Sequence, residues 1–282
     1  MASSGGGGRG VVRLGPVTLD ADTGALVAVG EPAGRLVRRR PVAGADRQRR
    51  DRVAAHPAAA TWRAGGLHRL QQRTVGVDVE GARVVVRTRL APPALRCALD
   101  VTAVWTADAG RAEVEPTVTP TGEWPDTWPR LGVAMALPGG SSGLEQVEWL
   151  GLGPDEAYPD SDEGARYGLW SRGVFGMQTR YVRPQENGHR PGTRWARLAG
   201  EAGALVVEAT GGGSFGLTVR PWSVAALTAA DHVGDLVPDG RTWLHLDHAH
   251  HGLGTHACGP DVFEPYVLRP RAATFGFRFT AG

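Results

Sequence analysis

The chain has 282 residues, 41% hydrophobic and 21% charged, which is enough apolar material for one large core or two modest ones. Its 41 glycines and 20 prolines interrupt helices and serve turns, so the composition points to strands joined by many turns rather than to a helical protein. A net charge of +2, with basic residues (all arginine) interspersed among acids, excludes the concentrated basic face that nucleic acid requires, and no apolar run reaches the ~18 residues of a membrane span.

Residues 1–10, MASSGGGGRG, read as a disordered tail, and they lack the basic-then-apolar pattern of a secretory signal; a cytoplasmic location follows as the default. VVRLGPVTLD, a turn at Asp22-Thr23-Gly24 and ALVAVG form a hairpin-like unit. GRLVRRRPVAGADRQRRDRVAAHPAAA keeps no apolar period and crowds its arginines, so residues 31–60 are expected to be a poorly ordered basic connector.

From Val75 onward the pattern is period two. VGVDVEG, ARVVVRTRL, CALDVTAVWTAD and AEVEPTVTP favour β-branched residues, and Leu99, Val101, Ala103 and Trp105 share one face. RLGVAMALP, GLEQVEWLGLG, TRWARLA, ALVVEAT, FGLTVRPW, TWLHLDHAH and TFGFRFTAG continue it. Such alternation predicts antiparallel sheets buried on one side, hence a large all-β sandwich over residues 11–282 whose loops carry many of the tryptophans. Only SVAALTAADH reads as a helix, with Ser223 as its N-cap.

Candidate chemistry is sparse. WLGLGPDEAYPD carries Asp155, Glu156 and Asp160, but adjacent carboxylates point to opposite sides of a strand. In a turn they cap amides or pair with arginines such as Arg166. Glu186 in YVRPQENG is a further carboxylate. HLDHAHHGLGTH invites a metal reading, with His248 and His250 on one strand face; Asp247 faces away from them, and surface histidines or a hydrogen-bonded loop network are the competing account. Trp124 and Trp128 in GEWPDTWPR suit either sugar stacking or core packing. Cys97 and Cys258 imply no disulfide framework.

Several strings in order, WLGLGPDEAYPD, YVRPQENGHR, LDHAHHGLGTHACGP and YVLRP...TFGFRF, resemble the C-terminal, small-chain-like domain of the large lacZ-type β-galactosidases of glycoside hydrolase family 2. The likeness runs from Trp62 to Phe279, with LGPVTLDADTGALVAVG resembling the start of the same domain. RRRPVAGADRQRRDR departs from the family tract, and Ala157 stands where the family usually has asparagine.

The resemblance implies a galactose mutarotase-like supersandwich whose loops pack beside a (β/α)₈ barrel bearing both catalytic glutamates. No such barrel is encoded here, since ~250 residues are typical of one. It implies no catalytic residue in this chain. The residues it places in substrate-proximal or interface loops are Asp155, Glu156, Tyr158, Asp160, Arg183, Glu186, Asn187, His250, His251 and Cys258, the last where family members carry a tryptophan. The expected partners are a barrel-bearing β-galactosidase chain and a galactoside at a shared site. Magnesium and a monovalent cation belong to the complete enzymes, and no cofactor is assigned to this chain. Two other functions compete: a stand-alone carbohydrate-binding module using Trp124, Trp128 and Trp170, and a mutarotase-like activity on galactose using Glu186 with His250 or His251.

Overall fold

The computed structural model describes residues 10–29, 58–108, 110–140, 143–201, 203–253 and 262–282. A three-stranded antiparallel sheet comes first: β1 (Val11–Leu14), β2 (Val17–Asp20) and β3 (Leu26–Val29). The Asp20 carboxylate closes its second turn, accepting from the Thr23 amide at 2.8 Å, while Gly24 sits at φ +62° against Val86. The hairpin expectation thus gains a strand, because Gly15-Pro16 also turns the chain. Helix α1 (Ala58–Ala64) is an addition to the single helix expected; it fixes residues 58–60 of the connector, the remainder of which lies outside the described residues.

The sandwich follows as β4 (Gln71–Glu80), β5 (Arg83–Ala91), β6 (Cys97–Asp108), β7 (Arg111–Gly122), β8 (Arg130–Pro138), β9 (Leu144–Gly153), β10 (Arg166–Gly173), β11 (Arg190–Thr193), β12 (Trp195–Gly200), β13 (Gly203–Ala209) and β14 (Phe215–Arg220). After α2 (Val224–Ala229) come β15 (Arg241–His250), β16 (Ala273–Thr274) and β17 (Phe277–Ala281). All pairing is antiparallel. One sheet runs β10-β9-β12-β13-β17-β7-β6-β5-β4, with β16 on β7; the other runs β11-β14-β15-β8.

Period two decides which side chains fill the gap between the sheets. Trp105, Trp149, Leu198, Val207, Phe277 and Phe279 of the large sheet meet Met135, Leu217, Val219, Leu244 and Leu246 of the small one. A second cluster gathers Trp62, Leu90, Leu99, Val118, Trp128 and Leu131. Six of the nine tryptophans lie in strands or in α1, against the expectation that loops would carry many of them; Trp124, Trp128 and Trp222 are the loop residues. The reason is geometric: indoles supply the bulk that a wide gap between twisted sheets needs.

The outer face of the large sheet is a ladder of cross-strand ion pairs. Arg87–Asp78 and Arg89–Asp100 are both 2.6 Å, Arg278–Glu113 is 2.6 Å and Arg197–Glu148 is 3.4 Å. Each of these exposed pairs contributes little, but together they keep the face wetted.

Helix α2 starts as its sequence predicts, with Ser223 Oγ accepting from the Ala226 amide at 3.1 Å. Ser223→Ala should lower stability by about 1 kcal/mol, read as a shift of the urea midpoint without a change of slope. Cys97 is a buried free thiol. No described helix is long and apolar enough to cross a membrane.

Candidate functional site

Small residues open a polar compartment on the far face of the small sheet. Gly216 of β14, Asp247 of β15 and Gly132 of β8 form one cross-strand row. A Cβ on Gly132 would collide with Asp247, and one on Gly216 with the His189 ring, so only glycine fits at either flank. In the rows above lie Thr218–His245–Ala134 and Arg220–Trp243–Ala136. Small side chains on β8 leave space for large polar ones from β14 and β15.

A β-bulge completes the arrangement. The β8–β15 register shifts between Asp247 and Ala249, so His250 pairs with Arg130 and rejoins the face of Asp247 and His245. His248 is turned out, stacked on Phe275 at 4.7 Å. The expectation that His248 and His250 share a face, with Asp247 opposite, is therefore overturned: one extra residue reverses the parity. The correct grouping is His189, Asp247 and His250, whose ligand atoms lie within 4.8 Å of one another.

Charges inside this compartment are matched. Arg130 donates from Nε to Asp247 Oδ1 at 3.1 Å and from Nη2 to Oδ2, and its Nη1 lies 3.5 Å from Glu186 Oε2. Arg220 donates to the other oxygen of Glu186 and, at 2.8 Å, to the Asn187 carbonyl. Arg130, Glu186, Arg220 and Asp247 are all at most 5% exposed. Burial opposes ionisation of Arg130, but Asp247 and Glu186 raise its pKa above the ordinary value. Burial would also lift Glu186, yet Arg220 and Arg130 hold it below 4.5. For Asp247 burial outweighs the bidentate arginine and the pKa rises to about 6.

The imidazoles are neutral. Burial, aided by neighbouring Arg130, holds His250 at about 3, while His189 and His245 lie well below 6.5. His189 Nδ1, 3.6 Å from Asp247, therefore makes no ion pair. His250 Nδ1 donates to the His251 carbonyl at 2.7 Å, which fixes its tautomer. Tyr158 stacks on His189 at 5.4 Å and meets His250 edge-on at 5.3 Å. Nη1 of Arg130, Oε2 of Glu186, Nε and Nη1 of Arg220 and Nε2 of His245 have no hydrogen-bond partner among the described residues.

Loop residues predicted from the sequence divide into three groups. Tyr158, Glu186 and His250 belong to the compartment itself. Glu156, Asp160, Asn187 and His251 build its rim. Glu156 accepts from the Tyr181 hydroxyl and from the Gly188 amide at 2.6 Å; Asp160 accepts from the Leu253 amide at 2.8 Å. Asn187 receives the Thr179 amide at 3.3 Å, and His251 meets the Trp62 ring at 5.2 Å. Asp155 and Arg183 point outward, to Arg172 at 3.0 Å and Asp231 at 2.8 Å. Arg172, not Arg166, is the arginine beside Asp155, although the antiparallel register sets Arg166 against Gly153 at the end of β9.

Cys258 lies outside the described residues. Ala157 lacks the amide of the family asparagine, and the loop is held instead by its backbone N–H to the His189 carbonyl at 2.9 Å. Arg190 adds a staple, donating to the carbonyls of Met177, Gly188 and Pro154 at 2.7, 2.6 and 3.1 Å. Arg130, His189, Arg190 and Arg220 were not singled out in the sequence; an arginine inside an otherwise apolar strand, as in FGLTVRPW, was the available signal.

The compartment does not fit magnesium, which takes oxygen ligands; here two of three donors are imidazoles, and Arg130 already covers both Asp247 oxygens. The three tryptophans considered for sugar stacking are packed inward. Trp124 and Trp128 meet edge-to-face at 5.3 Å within the second core cluster, and Trp170 donates to the Gly151 carbonyl at 3.2 Å.

The profile of the family described as "Beta galactosidase small chain" matches residues 17–280. The β-galactosidase of Arthrobacter sp. (strain B7) is 32% identical over 233 residues, covering 81% of this chain and 23% of that enzyme. That of Kluyveromyces lactis is 32% identical over 232 residues, covering 77% and 21%. The chain thus spans less than a quarter of the length of these relatives. A galactose mutarotase-like protein from Lactobacillus casei ATCC 334 shares the fold, with a TM-score of 0.50 at 9% identity over 98% of this chain and 100% of the other.

Proposed function

The chain belongs to the β-galactosidase small-chain family, and from that premise we propose that it is the non-catalytic C-terminal portion of such an enzyme, packing on a (β/α)₈ barrel carried elsewhere and walling the galactoside site. The observation that carries this reading is the fate of Glu186 and Asp247. Both are buried and both converge on the Arg130 guanidinium, so neither faces a cleft in which a glycosidic oxygen and an anomeric carbon could be held between them. Their role is architectural: they fix the sheet face from which the loops around Tyr158, Asp160, Arg183, Asn187, His250 and His251 reach the barrel-bearing partner and its sugar. Hydrolytic chemistry, with its magnesium and monovalent cation, belongs to that partner.

Purified chain is expected to show no turnover of a nitrophenyl galactoside. A rate that survives repurification and drops in Glu186→Gln would overturn the proposal. Mutarotase-like catalysis would ask Glu186 to exchange a proton, which its two arginines oppose. A free carbohydrate-binding module would need open indole faces, and the packed Trp124, Trp128 and Trp170 do not offer them. Isothermal titration with galactose separates that reading: heat from the isolated chain at millimolar sugar would favour a binding module.

A further inference from the structure

The ion-pair ladder on the outer face of the large sheet stops at one corner. Across β10, β9 and β12 the register sets Tyr167 against Leu152, and Leu169 against Leu150, which in turn faces Trp195. Tyr167 is 54% exposed and Leu169 66%, the most open apolar side chains of any strand in that sheet apart from Val75. They stand on β10, the terminal strand, whose second backbone edge is unpaired among the described residues. Edges of this kind are ordinarily guarded by lysine, proline or a bulge. Arg166–Gly173 has neither lysine nor proline, pairs with β9 without a register shift, and one of its two arginines, Arg172, lies beside Asp155.

We infer that β10 is a self-pairing edge: a second copy of this chain adds antiparallel to it about a two-fold axis, joining the two large sheets into one. The strand is self-complementary in both respects that such pairing demands. With Gly168 on the axis, Tyr167 of each copy faces Leu169 of the other, so the apolar pair is made twice. Under the same register Arg166 faces Trp170, so no arginine meets an arginine. The exposed acids Asp162 and Glu163 before each strand come beside Arg172 at the end of its partner. This pairing does not depend on a catalytic partner.

Sedimentation velocity of the full chain across micromolar concentrations is expected to give twice the 29.8 kDa chain mass, and Leu169→Lys to return it to a single mass with an unchanged circular dichroism spectrum. In a Cys258→Ser background, Tyr167→Cys with Leu169→Cys should oxidise to a covalent dimer, which tests the register. A single-mass wild type, a dimer that persists in Leu169→Lys, or failure to cross-link would each overturn the inference. So would protection of residues 166–173 from hydrogen exchange only on adding a β-galactosidase catalytic portion, which would assign the edge to that partner. None of these results alters the galactoside assay, so the two proposals fail separately.

Discussion

Replacing Arg130 by methionine is expected to cost about 3–5 kcal/mol of folding stability, the usual penalty for removing one partner of a buried charge pair. Among the described residues the guanidinium alone makes ion pairs with both Glu186 and Asp247, and all three side chains are at most 3% exposed. Without it Asp247 loses both hydrogen bonds, and Glu186 keeps Arg220 on one oxygen alone. Combining Arg130→Met with Asp247→Asn should recover part of the loss, because a neutral amide is cheaper to bury than an unpaired carboxylate. Urea titration of the four forms gives the coupling between the two sites directly. A loss below about 1 kcal/mol in Arg130→Met would mean that water reaches the compartment, and the architectural role given to these charges would fall.

The legibility of this protein in its sequence follows from what each pattern encodes. β6 was readable because apolar residues recur at every second position: Leu99, Ala103 and Trp105 are buried, while Val101 on the same face borders a cavity. α2 was readable because Ser223 and a run of small apolar residues specify a cap and a single turn or two. The large sheet and its antiparallel pairing follow from the same rule applied ten times. The polar compartment obeys a different logic. Its members come from β8, β14, β15, the loop after β9 and the loop before β11, and nothing local says that Arg130, His189 and Arg220 will meet. Worse, the one stretch that advertised a site, LHLDHAHH, holds the bulge, so counting in twos assigned His248 and His250 to one face and Asp247 to the other. A single inserted residue is invisible to periodicity and decisive for chemistry. The glycines that admit the cluster, Gly132 and Gly216, read as ordinary strand interruptions until the side chains across from them are known.

The buried imidazoles make a second large effect, this one in the pH dependence of stability. His189, His245 and His250 all have folded-state pKa values depressed from 6.5 by burial and by Arg130, reinforced for His189 and His245 by Arg220. The unfolded chain therefore takes up protons near pH 6.5 that the folded chain refuses, and stability falls as the pH drops below that value. Asp247 acts in the opposite sense: raised to about 6, it binds a proton in the folded state between about pH 6 and its ordinary 3.8, which offsets one of the three. Glu186, held down by Arg220 and Arg130, adds its own loss only below 4.5. Within this compartment the balance between roughly pH 6 and 4.5 is two protons taken up on unfolding, or about 3 kcal/mol of stability lost per pH unit. Denaturation midpoints measured from pH 8 downward should be flat to about 6.5 and then drop steeply. Replacing His245 by glutamine, which keeps a polar side chain beside Thr218 and Ala134 but cannot titrate, should remove about half of that slope. An unchanged slope in the variant would show that the histidines become protonated within the fold, and the neutral, closed compartment described here would have to be abandoned.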